Sequence, residues 1–392
     1  MSNSSDNTRA SRLRSALAML VALVAALTIG ACGDDDTVGG GNGGGEAEVA
    51  QSGPVRGELT ISNWPAYMDT GKENTVAEFE DATGVEIDYV EDVNDNAEFF
   101  GKLRPQLERG QSGGRSIFVV TDWMAKQMND LGYLQQLNHD DLTTVFDNIL
   151  PSLESPSFDP QREFSVPWQS GMTGIMVNEK LAPDVRSVND LFDPKYKGKV
   201  TMLSEMRDTV PLVMKADGVD PAEADKQDWL DAIEKLREAA ESGQIRRFTG
   251  NDYNQDMTNE NVVAAIGWSG DTSIIENPDV RWRMPAEGCV LWSDNMVIPK
   301  GAPNTAAALA WMNFVYRPRV QADIAEYVQY VTPVSGLDDV LRERDPELAD
   351  NQLIFPDEEF TADCSTQPDP PGSEEDRQEV TEAFQDMITG QG

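Results

Sequence analysis

Trp292 and Asp294 stand two residues apart inside the apolar run Gly288-Cys289-Val290-Leu291-Trp292-Ser293-Asp294-Asn295-Met296-Val297-Ile298-Pro299. The run reads as a buried strand, and strand geometry sends residues i and i+2 to one face, so the ring and the acid stand side by side. An ionised carboxylate in such a run is costly unless a cation or several donors meet it. A ligand amine would meet it, with the flat ring adding cation–π attraction.

The elements that must position these groups open with Leu59-Thr60-Ile61-Ser62-Asn63-Trp64, a strand by alternation that Pro65 stops, leaving Trp64 and Tyr67 at its mouth. Ligands of open α/β sheets collect at such carboxyl ends of strands. Val76, Phe79 and Ala82 then fall at helical spacing, Gly84 ends that helix, and Val85, Ile87 and Tyr89 alternate as a second strand, which makes a βαβ unit. Ile117 to Val120 is a short buried strand ending at Thr121-Asp122-Trp123, before a helix expected over 124–131, and Phe164 to Asn178 reads as extended. Asp92 to Asn96 resembles the start of a calcium loop, but Ala97 stands where the turn glycine belongs and Leu103 where the final glutamate belongs, so calcium is rejected. The helix Ser373 to Ile388, with Ser373 as its cap and Val380, Phe384 and Ile388 on one face, closes the chain and is expected to pack on the second lobe.

The first residues read as an export signal rather than as part of the fold. Arg9, Arg12 and Arg14 precede the apolar Ala16 to Leu27, and Ile29-Gly30-Ala31-Cys32 matches a lipobox, which implies cleavage after residue 31 and lipidation of Cys32. A spanning helix would need about 20 unbroken apolar residues. The stretch from Gly33 to about Gly53 carries three aspartates and is rich in glycine without an aromatic, so residues 32–56 are expected to be a tether with a reach of roughly 25 Å. Its G-x-G-x-x-G match at Gly39 to Gly44 has neither a strand before it nor a helix after it and is low-complexity noise.

The whole chain carries a net charge of −38, and removing three Arg and one Asp with residues 1–31 leaves −40. Such a charge repels phosphates and excludes a nucleic-acid partner, while it suits a cationic ligand; a merely solvated acidic surface accounts for most of it. Beyond Cys32 only Cys289 and Cys364 remain, an even pair in an oxidising setting, which favours a disulfide over two separate buried thiols. The one histidine, His139, sits in an Asn138-His139-Asp140 turn and suggests no metal site; no cofactor is expected.

From about Leu59 to Phe355 the chain resembles the spermidine/putrescine-binding proteins of bacterial polyamine ABC importers. The residues that carry the resemblance are Asn63-Trp64-Pro65-Ala66-Tyr67, Ser165-Val166-Pro167-Trp168, Asp193 to Val200, Trp268-Ser269-Gly270, Trp292-Ser293-Asp294, and Asn313-Phe314 through Arg317-Pro318. The resemblance implies a type II periplasmic-binding-protein fold: two α/β lobes with a ligand cleft between them, one of residues 57–172 and 293–338, the other of 173–292 and 339–392. It implies an aromatic box of Trp64, Tyr67, Trp123, Trp268, Trp292 and Tyr330, a hydroxyl at Thr121, amine-binding acids at Glu205, Asp208 and Asp294, and Gln367 as a further ligand contact. Two positions depart from the family. Pro65 stands where a hydroxyl residue is common, and Glu205 then Asp208 exchange the usual order of a short and a long acid.

The implied protein is an exported, lipid-anchored, monomeric receptor at the outer face of the cytoplasmic membrane that captures a polyamine and delivers it to the permease of an ABC importer. The resemblance implies no enzymatic activity. A linear polyamine is several ammonium groups joined by methylenes, and a host that alternates acids with flat rings matches it. Charge-assisted hydrogen bonds contribute roughly 1.5–3 kcal/mol each and cation–π contacts about 0.5–2. Two other classes stay open: a binding protein of the same fold for a sugar, an amino-acid derivative or an iron chelate, and an exported hydrolase with paired carboxylates. The i, i+3 spacing of Glu205 and Asp208 fits two grips on one chain of amines better than attack from opposite faces.

Overall fold

The computed structural model describes residues 48–69 and 74–390. The expected signal segment, Cys32 and most of the tether lie outside the described residues. The strands are β1 (Gly57–Asn63), β2 (Val85–Glu91), β3 (Ile117–Thr121), β4 (Val166–Asn178), β5 (Val200–Leu203), β6 (Ile245–Thr249), β7 (Ala264–Trp268), β8 (Val280–Arg283), β9 (Val290–Val297) and β10 (Ser365–Thr366). They lie in the order β2-β1-β3-β9-β4-β7-β5-β6, with β10 beside β9 and β8 beside β4. β2, β1 and β3 run parallel to one another, as do β7, β5 and β6. Between these two parallel sets β9 and β4 pair antiparallel, and each pairs antiparallel with its outer neighbour.

The inner strands of the parallel sets are buried on both faces and run apolar rather than alternating, while the outer strands β2 and β6 carry charged, exposed residues. Ile117-Phe118-Val119-Val120 in β3, Val200-Thr201-Met202-Leu203 in β5 and Ala264-Ala265-Ile266-Gly267-Trp268 in β7 are buried at every position. The result is two α/β lobes whose sheet halves meet at the long strand β4 and at β9, two of the segments by which the chain passes between the halves. A bulge between Pro167 and Ser170 bends β4 where it runs beside β9.

The expected βαβ unit is present, with the helix Thr75–Thr83 capped by the Asn74 side chain and ended by Gly84 in the left-handed region at φ 72°. The last helix, Glu374–Thr389, starts at Ser373 in a capping box with Asp376 and buries Val380 and Phe384. It packs on the helix Lys226–Glu241, and Phe384 meets Phe248 of β6 edge to face at 6.2 Å, so it lies on the half that holds β5–β7.

Two local readings change. The helix after β3 begins at Asp122, two residues earlier than its apolar spacing suggests, and Thr121 at its N-cap makes no capping bond because its hydroxyl is turned to Asp294 instead. The segment expected to be tether as far as residue 56 is fastened earlier: Val49 pairs with Gln136, Ala50 is buried, and Thr305 and Asn304 donate to the carbonyls of Gln51 and Arg56. Ala50 is what that end buries, while Val49 stays exposed. The turn at His139 is capped by Asn138 as its composition suggests, and His139 Nε2 lies 3.2 Å from the Arg162 carbonyl. Cys289 and Cys364, 75 residues apart, are joined in a disulfide that ties the end of β9 to the carboxyl-terminal segment. A loop of that length corresponds to roughly 4–5 kcal/mol in the chain-entropy account. Among the described residues no helix is long and apolar enough to cross a membrane, and no cluster of His, Cys, Asp and Glu could hold a metal ion.

Candidate ligand-binding site

The carboxyl ends of β1, β3, β5 and β7 converge on one cavity beside β9. It holds about 390 Å³ of space between atoms, of which about 30 Å³ can take the centre of a water molecule, so it is narrow. Glu205, Asp208, Asp271 and Asp294 line it, all buried, and no Lys, Arg or His does.

Each acid reaches the cavity because local structure releases it from an ordinary role. Glu205 occupies the N-cap of the helix Met206–Ala216, where an acid usually bonds the first turn, yet it makes no such bond. Its Oε1 accepts instead from the Asn96 backbone N–H at 2.6 Å and from Asn96 Nδ2 at 2.9 Å. Asp208, one turn later, accepts from Thr173 Oγ1 at 2.8 Å, Gln367 Nε2 at 2.9 Å and Trp268 Nε1 at 3.2 Å. Asp294 accepts from Thr121 Oγ1 at 2.7 Å. The Tyr67 phenol lies beside it without forming a well-directed hydrogen bond. Asp271 accepts from both Tyr253 and Tyr330 hydroxyls at 2.5 Å and from Asn254 Nδ2 at 2.7 Å.

Burial without a cation sets the electrostatics. Desolvation pushes Asp294 up to about 7, against the opposing hydrogen bond from Thr121. Glu205 is raised well above the usual carboxylate range, first by burial and then by the neighbouring charges of Asp95 and Asp208. Burial also raises Asp208 and Asp271, with their hydrogen bonds pulling the other way.

The rings pack edge to face around the acids. Trp64 meets Trp268 at 5.8 Å, Tyr67 meets Tyr330 at 5.1 Å, and Trp292 meets Tyr330 at 5.4 Å. Two glycines seat them. A Cβ at Gly270 would lie 2.5 Å from the Tyr330 ring, and one at Gly171 would lie 2.4 Å from Trp292, so only a bare backbone admits either ring. Ser170 exchanges backbone hydrogen bonds of 2.9 Å with Val331 in both directions, which holds Tyr330 against β4.

Ten of the eleven residues expected from the sequence line this cavity: Trp64, Tyr67, Thr121, Glu205, Asp208, Trp268, Trp292, Asp294, Tyr330 and Gln367. Trp123 does not. Its ring lines an adjoining outer groove and is covered by the Arg207 guanidinium, 4.0 Å from the ring centre, which in turn pairs with Asp369 at 2.8 Å. Pro65, Asn96, Asn251 and Asp271 line the cavity without having been expected there. Asp271 is one residue past the Trp268-Ser269-Gly270 motif, and Asn96 ends the polar run that imitates a calcium loop; a run of polar residues at a strand's carboxyl end was the signal in both places.

Residues 74–356 match the model of the family described as bacterial extracellular solute-binding protein. The chain belongs to that family. This solute-binding protein is 27% identical over 308 residues to the spermidine/putrescine-binding periplasmic protein of Escherichia coli, a match covering 77% of this chain and 84% of the relative. It is also 27% identical, over 336 residues, to the putrescine-binding periplasmic protein SpuD of Pseudomonas aeruginosa, covering 80% of this chain and 87% of the relative. Among solved structures it resembles the spermidine/putrescine ABC transporter substrate-binding protein PotD of Streptococcus pneumoniae, determined in complex with calcium and HEPES. That likeness has a TM-score of 0.67 and 26% identity and covers 86% of this chain and 99% of the other. Type II periplasmic binding proteins are thus its structural neighbours, in agreement with the two-lobed sheet and its cleft.

In this solute-binding protein the cavity can hold a slender cation by charge and by ring faces together. Its acids face one another rather than a reacting bond, and most of their oxygens are already committed to donors of the protein.

Proposed function

We propose that this protein captures a polyamine, spermidine or putrescine, and delivers it to an ABC-type importer. The observation that carries the reading is a narrow cavity with four buried carboxylates and no basic side chain lining it. Such a cavity lacks its counter-charge, and a linear chain of ammonium groups supplies several at once while its methylenes lie along the rings. The polyamine-binding relatives support the same ligand class. Residues 57–172 with 293–338 are proposed to move against 173–292 with 339–392, because β4 and β9 at the centre of the sheet are among the crossings between the two parallel sets. Lipidation at Cys32 is proposed to hold the receptor at the outer face of the cytoplasmic membrane, near its permease, as a monomer. The polar Arg9-to-Arg14 segment, the apolar run after it and the lipobox support this.

Titration calorimetry with putrescine, spermidine and spermine tests the reading, with a neutral sugar and an amino-acid derivative as controls. Three or four acids and several rings, less the cost of ordering, correspond to micromolar affinity or better for at least one polyamine. Heat only with a control solute would reassign the ligand.

A further inference from the structure

Asn96 joins the two lobes. It lies in the first turn of the helix Asn96–Leu107, which follows β2 at one end of the sheet, while Glu205, 109 residues away, follows β5 near the other end. Its side-chain amide is almost wholly engaged: Oδ1 accepts from the Thr121 N–H at 3.2 Å, and Nδ2 donates to Thr121 Oγ1 at 2.8 Å and to Glu205 Oε1 at 2.9 Å. Its backbone N–H makes the second bond to the same Glu205 oxygen. The Thr121 hydroxyl, having accepted from Asn96, passes its own proton toward Asp294 Oδ1. One amide, 1% exposed, therefore fixes the orientation of two acids on opposite sides of the cleft.

The directions of these bonds are forced. Nδ2 can only donate, so Glu205 must accept and Thr121 must turn its hydrogen to Asp294. Among the described residues Glu205 Oε2 receives no hydrogen bond, which leaves that oxygen for a guest. Glu205 lines both the inner cavity and the outer groove, so this contact sits where the two meet. Asn96 has no donor left over for a ligand.

We propose that Asn96 is a positioning residue that latches the closed cleft: it holds Glu205 across the lobes and, through Thr121, aims Asp294, and so sets how long a bound polyamine stays. The proposal rests on the polyamine reading above. An open receptor makes its first contacts with ligand before the Asn96–Glu205 bonds can form, so the latch acts on escape rather than on capture.

Stopped-flow or surface-plasmon kinetics on the full chain with spermidine and putrescine provide the test. Asn96→Ala is expected to raise koff at least tenfold while kon changes less than threefold. Asn96→Asp keeps the shape and the backbone N–H but sets a carboxylate against Glu205; it is expected to raise koff further, with partial recovery from pH 8 to pH 6 as the introduced carboxyl takes up a proton. In a Glu205→Gln background Asn96→Ala should cost markedly less than in the wild type, as expected of two groups acting together. A lower Tm with koff unchanged, a loss carried by kon, or additive effects with Glu205→Gln would each overturn the latch while leaving the ligand assignment standing. A wild-type protein that binds neither polyamine would instead overturn the ligand assignment, and the latch with it.

Discussion

Acidity should close the empty receptor. Burial of its charge in the cleft pushes Asp294 up to about 7 from an ordinary value of 3.8. In an open cleft, reached by water, it returns toward the ordinary value. Below 3.8 both forms are protonated and the acid is indifferent to closure; between 3.8 and about 7 the open form alone is ionised, and the penalty on closing grows with pH; above 7 it is constant. At roughly 1.4 kcal/mol per pH unit, closing the empty cleft at pH 8 costs about 4.3 kcal/mol at Asp294, and at pH 5 only about 1.7. That difference of about 2.6 kcal/mol raises the closed-to-open ratio on the order of a hundredfold. Glu205, Asp208 and Asp271 are shifted in the same direction and add to it. Small-angle scattering of the ligand-free protein should therefore show a smaller radius of gyration at pH 5 than at pH 8. With saturating spermidine the cleft should be closed at both, since ammonium groups now pair the ionised acids. Identical curves for the empty protein at the two pH values, or a more compact form at pH 8, would refute the electrostatic account of closure.

Asp294→Asn and Glu205→Gln are each expected to weaken polyamine binding at least tenfold with the fold intact by circular dichroism, because an ammonium left unpaired in a desolvated site costs about 2–5 kcal/mol; unchanged affinity by calorimetry in both would misplace the site. Gly270→Ala drives a Cβ to 2.5 Å from the Tyr330 ring and should raise Kd at least tenfold, overpacking of this kind costing about 1–3 kcal/mol; an unchanged Kd would show that the ring has room to move. Cys32→Ser should move the protein from the membrane pellet to the soluble fraction, and a variant that still sediments with membranes would remove the lipobox reading.

The parts of the site that periodicity can report were legible in the sequence. Alternation along β9 placed Trp292 and Asp294 on one face, and the apolar cores of β1, β3 and β5 located the strand ends where Trp64, Thr121 and Glu205 emerge. Resemblance to a family added Trp268, Tyr330 and Gln367, which no local pattern singles out. What stayed hidden depends on partners distant in sequence. Nothing near Trp123 indicates that Arg207 will cover its ring, and nothing near Asn96 indicates that its amide will face Glu205. Asp271 looks like an ordinary turn acid until Tyr253 and Tyr330 are brought to it from opposite directions along the chain. Capping was misleading for a physical reason as well: Thr121 and Glu205 stand at helix N-caps, yet both turn away from the backbone and into the cleft.

The net charge of −38 and the four buried acids act differently on a ligand. Exposed charges are screened beyond roughly 8–10 Å at ordinary ionic strength, and many here are already paired, as Lys226 is with Asp376 and Glu379. They can draw a polyamine toward the surface but discriminate poorly among cations. Inside the cavity there is little water to screen, and an acid must be either protonated or paired. A neutral solute of the same length would leave Glu205, Asp208, Asp271 and Asp294 without counter-charge, so it would have to bear the full penalty that the empty closed form bears. Selectivity therefore comes largely from what the vacant site loses by closing, and the attractive contacts with rings and carboxylates need only offset it. The burial that makes Asp294 and Glu205 unfavourable in an empty cleft is the same burial that ties closure to the arrival of a cation.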